Sequence, residues 1–190
     1  MEKIIVLDNY DSFTYNLVHY IESNPNYEVD VFRNDEISIE AIDKYDTIVL
    51  SPGPGLPEDA GILKAVIERY APTKKILGVC LGMQAIGEVF GGTLENLNNV
   101  FHGVATPISI TQTNDLLYKN LPENIEVGRY HSWVISNDNF PNKLIVTSKD
   151  DNDQIMSIKH QDYNVYGVQY HPESILTTHG KEIINNFLDI

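Results

Sequence analysis

Residues 76–84 read Ile-Leu-Gly-Val-Cys-Leu-Gly-Met-Gln, an apolar strand that passes through Gly-x-Cys-x-Gly into a helical pattern continued by Ala85, Ile86 and Val89. No other segment restricts the fold as tightly. The glycines two before and two after Cys80 let a strand and a helix approach closely, and the cysteine then projects alone at the end of a sheet, the geometry of a nucleophile elbow. Its position at a helix N-terminus favours the thiolate. The backbone N–H of Leu81 is placed to donate to an oxyanion. The alternative for a lone cysteine is a buried structural role, and the strand, the two glycines and the helix weigh against it.

An elbow needs an α/β setting, and the rest of the first half supplies one. Strands are predicted at Lys3–Leu7, Glu28–Phe32, Thr47–Leu50 and Lys75–Val79. Phe13, Leu17, Tyr20 and Ile21 recur at helical spacing behind Ser12, a candidate N-cap, and Ala60–Tyr70 reads as a second helix. The β-α-β-α-β-α-β pattern predicts a mainly parallel, Rossmann-like or flavodoxin-like sheet with helices on both faces. Ligands bind such sheets beyond the carboxyl ends of the strands, which directs attention to the loops after Leu7, Leu50 and Val79. The second half reads as strands at Thr106–Thr111, Ile125–Arg129, Lys143–Thr147, Gln154–Lys159 and Val165–Tyr170, with a short helix near Leu116 and a closing one from about His179 to Leu188. This predicts a mixed or antiparallel extension of the same sheet within one domain over residues 1–190.

Composition excludes several classes of function. With 13 basic against 27 acidic residues the charge is −14, which disfavours nucleic acid as a partner. One cysteine permits no intrachain disulfide and no cysteine-rich metal site. No apolar stretch approaches the ~20 residues that span a bilayer, and the apolar run ending before Asp8 is too short for a signal peptide, so a cytoplasmic protein without a membrane partner is expected.

A thiolate nucleophile needs a base. Of the six histidines, His19 falls inside the first helix, His160 ends a strand beside polar loop residues, and both are expected to be solvated; His179 falls in the first turn of the last helix. His171 directly follows a strand and precedes Pro172-Glu173, so proline stiffens the link between an imidazole and a carboxylate able to orient it. A metal reading of His-x-Glu lacks the Pro-Cys-x-x-Cys that would accompany it. A third block, Ser51-Pro52-Gly53-Pro54-Gly55, also follows a strand. It is either a plain turn or a rigid loop whose N–H groups face an anion. No Gly-Lys-Ser/Thr follows, so it is not a phosphate loop.

The three blocks together resemble the class I, or triad, glutamine amidotransferases. The opening Leu7-Asp8-Asn9-Tyr10-Asp11-Ser12-Phe13-Thr14-Tyr15-Asn16, together with the stretch from His171 to Thr177, is similar to the glutaminase subunits of anthranilate synthase and of aminodeoxychorismate synthase. The resemblance implies Cys80 as nucleophile, His171 as base and Glu173 as its orienting partner. It implies an oxyanion hole from the N–H groups of Gly53 and Leu81. It further implies contacts to L-glutamine from Gly53, Pro54, Gly55 and Gln84, and from the backbone of Ser132 and Trp133. Met83 departs from the pattern, since many members of this subgroup carry His before the Gln.

The implied activity is hydrolysis of glutamine through a γ-glutamyl thioester, with ammonia delivered to a separate chorismate-using chain, component I of either synthase. The resemblance implies no metal or organic cofactor in this chain, and magnesium only in the partner. The tryptophan and folate routes stay open, as does one glutaminase shared by both. A stand-alone γ-glutamyl cysteine hydrolase and a non-catalytic flavodoxin-like binding protein are the alternatives from other classes.

Overall fold

The computed structural model describes residues 1–190. A nine-stranded sheet runs through it in the order β2-β1-β3-β4-β11-β10-β9-β6-β7. Its parallel half holds β1 (Glu2–Asp8), β2 (Tyr27–Arg33), β3 (Thr47–Leu50), β4 (Lys75–Val79) and β11 (Val165–Val168). The antiparallel half holds β6 (Val104–Ile110), β7 (Asn124–Arg129), β9 (Leu144–Asp150) and β10 (Ile155–His160). The expected α/β class, with its parallel core and antiparallel extension, is observed.

Alternation along the strands splits the core between the two faces. Ile4 and Val6 of β1 pack in a cluster with residues of α1 (Thr14–Glu22) and α4 (Gly180–Leu188). Ile5 and Leu7 point the other way, into a cluster with α2 (Leu63–Tyr70) and α3 (Leu81–Val89). Both faces of the parallel half are thereby covered, as an apolar β-branched strand requires. No helix is long and apolar enough to cross a membrane.

Several expectations are corrected. Ser12 is not the N-cap of α1: that place belongs to Phe13, and the preceding turn is tied instead by Asp8 Oδ1, which accepts from Thr14 Oγ1 at 2.8 Å, and by Asp11 Oδ2, which accepts from Phe13 N at 2.8 Å. Carboxylates accept more strongly than a serine hydroxyl, and two lie within reach. The helix predicted from Ala60 starts only at Leu63, because Gly61 takes a positive φ of 54° after a 3₁₀ turn at Pro57–Asp59. Between β2 and β3 stands only a 3₁₀ turn, Glu40–Lys44, in place of a full helix. Near Leu116 the helix is likewise a 3₁₀ turn, Leu116–Tyr118. The strand predicted through Tyr170 ends at Val168. His160 is buried rather than solvated, stacked on Tyr163 at 4.2 Å and packed against Phe90 at 4.6 Å. A separate antiparallel ribbon of β5 (Leu94–Asn96) and β8 (Trp133–Ile135) has no counterpart among the predicted strands.

Candidate active site

At the elbow, Cys80 closes β4 and stands at the N-terminus of α3 with φ 53° and ψ −101°. Positive φ strains a residue with a side chain, at a cost of about 1–3 kcal/mol, and persists where the surroundings over-determine it. Here they do. A Cβ on Gly78 would lie 2.5 Å from the Gly82 carbonyl carbon, and one on Gly82 would lie 2.6 Å from the Leu50 carbonyl oxygen. Glycine at both places is therefore a steric requirement of bringing β3, β4 and α3 together. The Cys80 N–H donates to the Val168 carbonyl at 2.8 Å, which fastens the elbow to β11.

The Ser51–Gly55 loop is clamped beside it. Asn9 donates from its backbone N–H to Ser51 Oγ and from Nδ2 to the Ser51 carbonyl, both at 2.8 Å, while Asn34 holds the Asn9 side-chain oxygen at 3.0 Å. A Cβ on Gly53 would lie 2.4 Å from the Asn9 carbonyl oxygen and 3.0 Å from Leu81 Cδ2. Gly53 thus touches the residue that follows the nucleophile. The Leu81 N–H belongs to the first turn of α3, where backbone donors have no partner within the helix.

His171 arrives from β11. Its Nδ1 lies 2.7 Å from Glu173 Oε1, and its buried Nε2 has no hydrogen-bond partner. Burial pushes the imidazole toward neutrality, but its interactions with the Cys80 sulfur and the Glu173 carboxylate outweigh this and raise its pKa to about 10. Phe13 and Tyr130 pack on the ring, with centroids at 5.7 and 4.7 Å, and the Tyr130 hydroxyl reaches Ser174 Oγ at 3.0 Å. Asp11, His171 and Glu173 each bring one possible metal-ligating atom within 4.8 Å of the others. In the protein these groups are already engaged, Asp11 with the Phe13 N–H and His171 with Glu173. Within the trio only His171 and Glu173 are hydrogen-bonded to each other.

A cavity of about 270 Å³ opens over Cys80, lined by all six residues expected to contact a substrate, Gly53, Pro54, Gly55, Gln84, Ser132 and Trp133. Val100, Phe101, His102, Tyr130 and His131 complete its walls. A second opening of about 380 Å³ places Tyr10, Asp11, Phe13 and His171 on the other side of Cys80. Gln84 is less free than expected, because its Nε2 already donates to the Trp133 carbonyl at 2.9 Å and to Gln169 Oε1 at 3.3 Å. Only its Oε1 is left to face a ligand.

His131 lines the same cavity as Cys80 but is engaged elsewhere. Its Nε2 accepts from Arg129 Nε at 3.1 Å, so its Nδ1 carries the proton and donates to the Trp133 carbonyl at 3.0 Å. Burial, and then the charge of Arg129, push its pKa down to about 3. Arg129 is itself buried and paired with Asp150 at 2.7 Å and with Gln154 at 2.8 Å. Neither this network nor the packing of Phe13 and Tyr130 on His171 was found by reading the sequence. The only local signal was the polar run Arg129-Tyr130-His131-Ser132 at the end of an apolar strand.

A cysteine on a strained elbow beside a carboxylate-oriented imidazole at one sheet end is an arrangement suited to acyl transfer. The chain belongs to the class-I glutamine amidotransferase family, which it matches over residues 5–190. Among its relatives is anthranilate synthase component 2 of Pseudomonas aeruginosa, 46% identical over 193 residues that cover 97% of this chain and 94% of that protein. The bifunctional protein TrpGD of Thermotoga maritima is 44% identical over 193 residues, which are 100% of this chain and 32% of that one, so the chain spans about a third of its length. A solved structure from Thermoplasma acidophilum, described as one of the subunits of a GMP synthase, superposes with a TM-score of 0.88 at 26% identity, covering 100% of this chain and 93% of that one.

Proposed function

We propose that this chain is the glutaminase component of an anthranilate-forming synthase, hydrolysing L-glutamine at Cys80 and passing ammonia to a separate chorismate-using chain. The observation that carries the reading is the disposition of Cys80, His171 and Glu173 at one sheet end, in a chain whose full-length relatives include an anthranilate synthase component 2. The folate-route synthase has no comparable support.

In this reading the Cys80 thiolate adds to the γ-amide carbon of glutamine. The carbonyl electron pair moves onto oxygen, where the Gly53 and Leu81 N–H groups receive it; losing one such donor typically costs about 2.7–4 kcal/mol. The His171 imidazolium gives its proton to the nitrogen, the C–N bond breaks, and ammonia departs from a γ-glutamyl thioester. Neutral His171 then takes a proton from water, whose oxygen attacks the thioester carbon. The C–S bond breaks, glutamate leaves, and the thiolate–imidazolium pair is restored. Glu173 holds Nδ1 throughout, leaving Nε2 as the atom that exchanges the proton. These steps use no metal or organic cofactor in this chain, and magnesium belongs to the partner. A cytoplasmic setting, where thiols stay reduced, completes the proposal.

The test combines this chain with a chorismate-using synthase chain. Glutamine plus chorismate should yield anthranilate only when both chains are present, and ammonia at high pH should support the synthase chain alone. Cys80→Ser should remove the glutamine-dependent activity and leave the ammonia-dependent one. Appearance of 4-amino-4-deoxychorismate in place of anthranilate would assign the chain to the folate route. Glutamate release by folded Cys80→Ser protein would overturn the mechanism.

A further inference from the structure

The Cys80 sulfur has a polar neighbour besides the imidazole. Gln169, completely buried, directs its Nε2 at Sγ from 3.5 Å. Strand pairing puts it there. Val168 of β11 lies opposite Val79 of β4, so the next residue on each parallel strand, Gln169 and Cys80, emerge side by side. His171 follows two residues later and lines the opening beside Cys80, while Gln169 stays buried beneath the sulfur, so one strand end delivers both groups to Cys80.

The orientation of the amide is decided elsewhere. The Trp133 carbonyl can only accept, so the Gln84 atom 2.9 Å from it is the nitrogen, and that same nitrogen reaches Gln169 Oε1 at 3.3 Å. This leaves the NH₂ group of Gln169 for the sulfur. The Trp133 carbonyl is in turn anchored by His131, whose tautomer is set by Arg129, whose guanidinium is held by Asp150. The polarity of the chain is therefore determined from a buried ion pair through to the nucleophile.

We propose that Gln169 is a catalytic residue that stabilises the Cys80 thiolate by donating its amide N–H to Sγ, and that Gln84 is the positioning residue that holds the amide that way round. This rests on the glutaminase reading in taking Cys80 as the nucleophile. Its use is in the second half of the reaction. While the thioester breaks, sulfur regains its negative charge as His171 is occupied with the proton of water. A neutral amide does not titrate and stays a donor throughout.

Because Cys80 is the sole cysteine, alkylation by iodoacetamide followed by mass spectrometry reports this one thiol. The rate is measured against pH for the wild type, Gln169→Leu and Gln84→Met, with circular dichroism and thermal melting as the check on folding. The titratable groups that line the openings around the sulfur, His171, His131, His102, Tyr130, Tyr10 and Asp11, stay in place in both variants. Loss of a hydrogen bond to a charged group corresponds to about a 10- to 100-fold effect, so the pH midpoint of alkylation should rise by about one to two units in Gln169→Leu. Gln84→Met should shift it the same way by a smaller amount, and kcat for glutamate release should fall in the same order.

If Gln169→Leu fails to fold, Gln84→Met carries the test, since it removes the group that orients the amide and leaves Gln169 itself in the chain. Midpoints unchanged from the wild type would overturn the proposal even if kcat fell. Failure of the glutaminase reading looks different: Cys80→Ser would still release glutamate, whereas the alkylation comparison concerns the thiol alone.

Discussion

Two of the histidines that line the openings beside Cys80 are tuned in opposite directions by their partners. His171 faces a carboxylate and the Cys80 sulfur and holds its proton up to about pH 10, whereas His131 faces an arginine and is neutral down to about pH 3. Of these two only His171 is protonated near neutrality, and in the proposed mechanism it gives that proton to departing ammonia. His171→Ala should therefore reduce thioester formation by about 100- to 10,000-fold, measured by burst kinetics with a glutamine analogue. Glu173→Ala should be milder, since the carboxylate orients and does not transfer. His131→Ala should leave the chemical step largely intact, and equal damage from it would reassign the base. The same shifts imply a pH dependence of stability. His171 binds its proton more tightly folded than unfolded, so its contribution is complete below about pH 6.5 and fades as pH rises toward 10. His131 binds its proton less tightly when folded, so stability drops as pH falls from about 6.5 toward 3. Urea titrations across pH should show a shallower acid loss in His131→Asn and a shallower alkaline loss in His171→Ala.

Among the elements, β4 and α3 carry the tightest constraint, because the strained backbone at Cys80 depends on close approaches that only glycine permits at residues 78 and 82. A methyl group at residue 82 would meet the Leu50 carbonyl at 2.6 Å, a backbone atom that cannot swing aside. Gly82→Ala should then lose about 1–3 kcal/mol in denaturant unfolding and displace the Leu81 N–H in the first turn of α3. Activity should fall by more than the stability loss alone explains, since catalytic donors lose effect with small displacements. An unchanged kcat in a folded Gly82→Ala protein would show that the elbow tolerates a wider turn. The ribbon of β5 and β8 matters for a related reason. It brings Trp133 over the cavity, where its carbonyl serves as the common acceptor for His131 and Gln84.

For the molecule as a whole, the site lies where the parallel strands end, next to an edge that carries exposed apolar side chains. Ile175 is 94% exposed and Tyr10 is 47% exposed. Tyr10 is also pre-organised, with its hydroxyl donating to Asp35 at 2.6 Å and Arg33 lying 4.8 Å from its ring. A rigid, half-exposed aromatic is the kind of side chain that anchors an interface. In the proposed complex, Tyr10→Ala should weaken binding to a chorismate-using synthase chain by about tenfold or more without lowering the melting temperature, as read by calorimetry of the mixed chains. Unchanged affinity would remove this loop from the docking face.

Much of this was legible in the sequence because it depends on short-range rules. The elbow is a run of neighbouring residues whose sizes dictate the turn, and the parallel strands are apolar runs bounded by breakers. His171-Pro172-Glu173 sets an imidazole beside a carboxylate through three adjacent residues. What only the tertiary structure decided depends on register between distant segments. Gln169 meets the sulfur because β11 pairs with β4 in one alignment, and Arg129 finds Asp150 because both end strands of the antiparallel half. The three-residue strands β5 and β8 are too short to show a period of two. Ser12 lost the capping role to carboxylates brought close by the turn, and His160 is buried by rings from other parts of the chain. Local sterics are written in order along the chain, whereas the partner of a buried polar atom is settled only when strands far apart in sequence come to lie side by side.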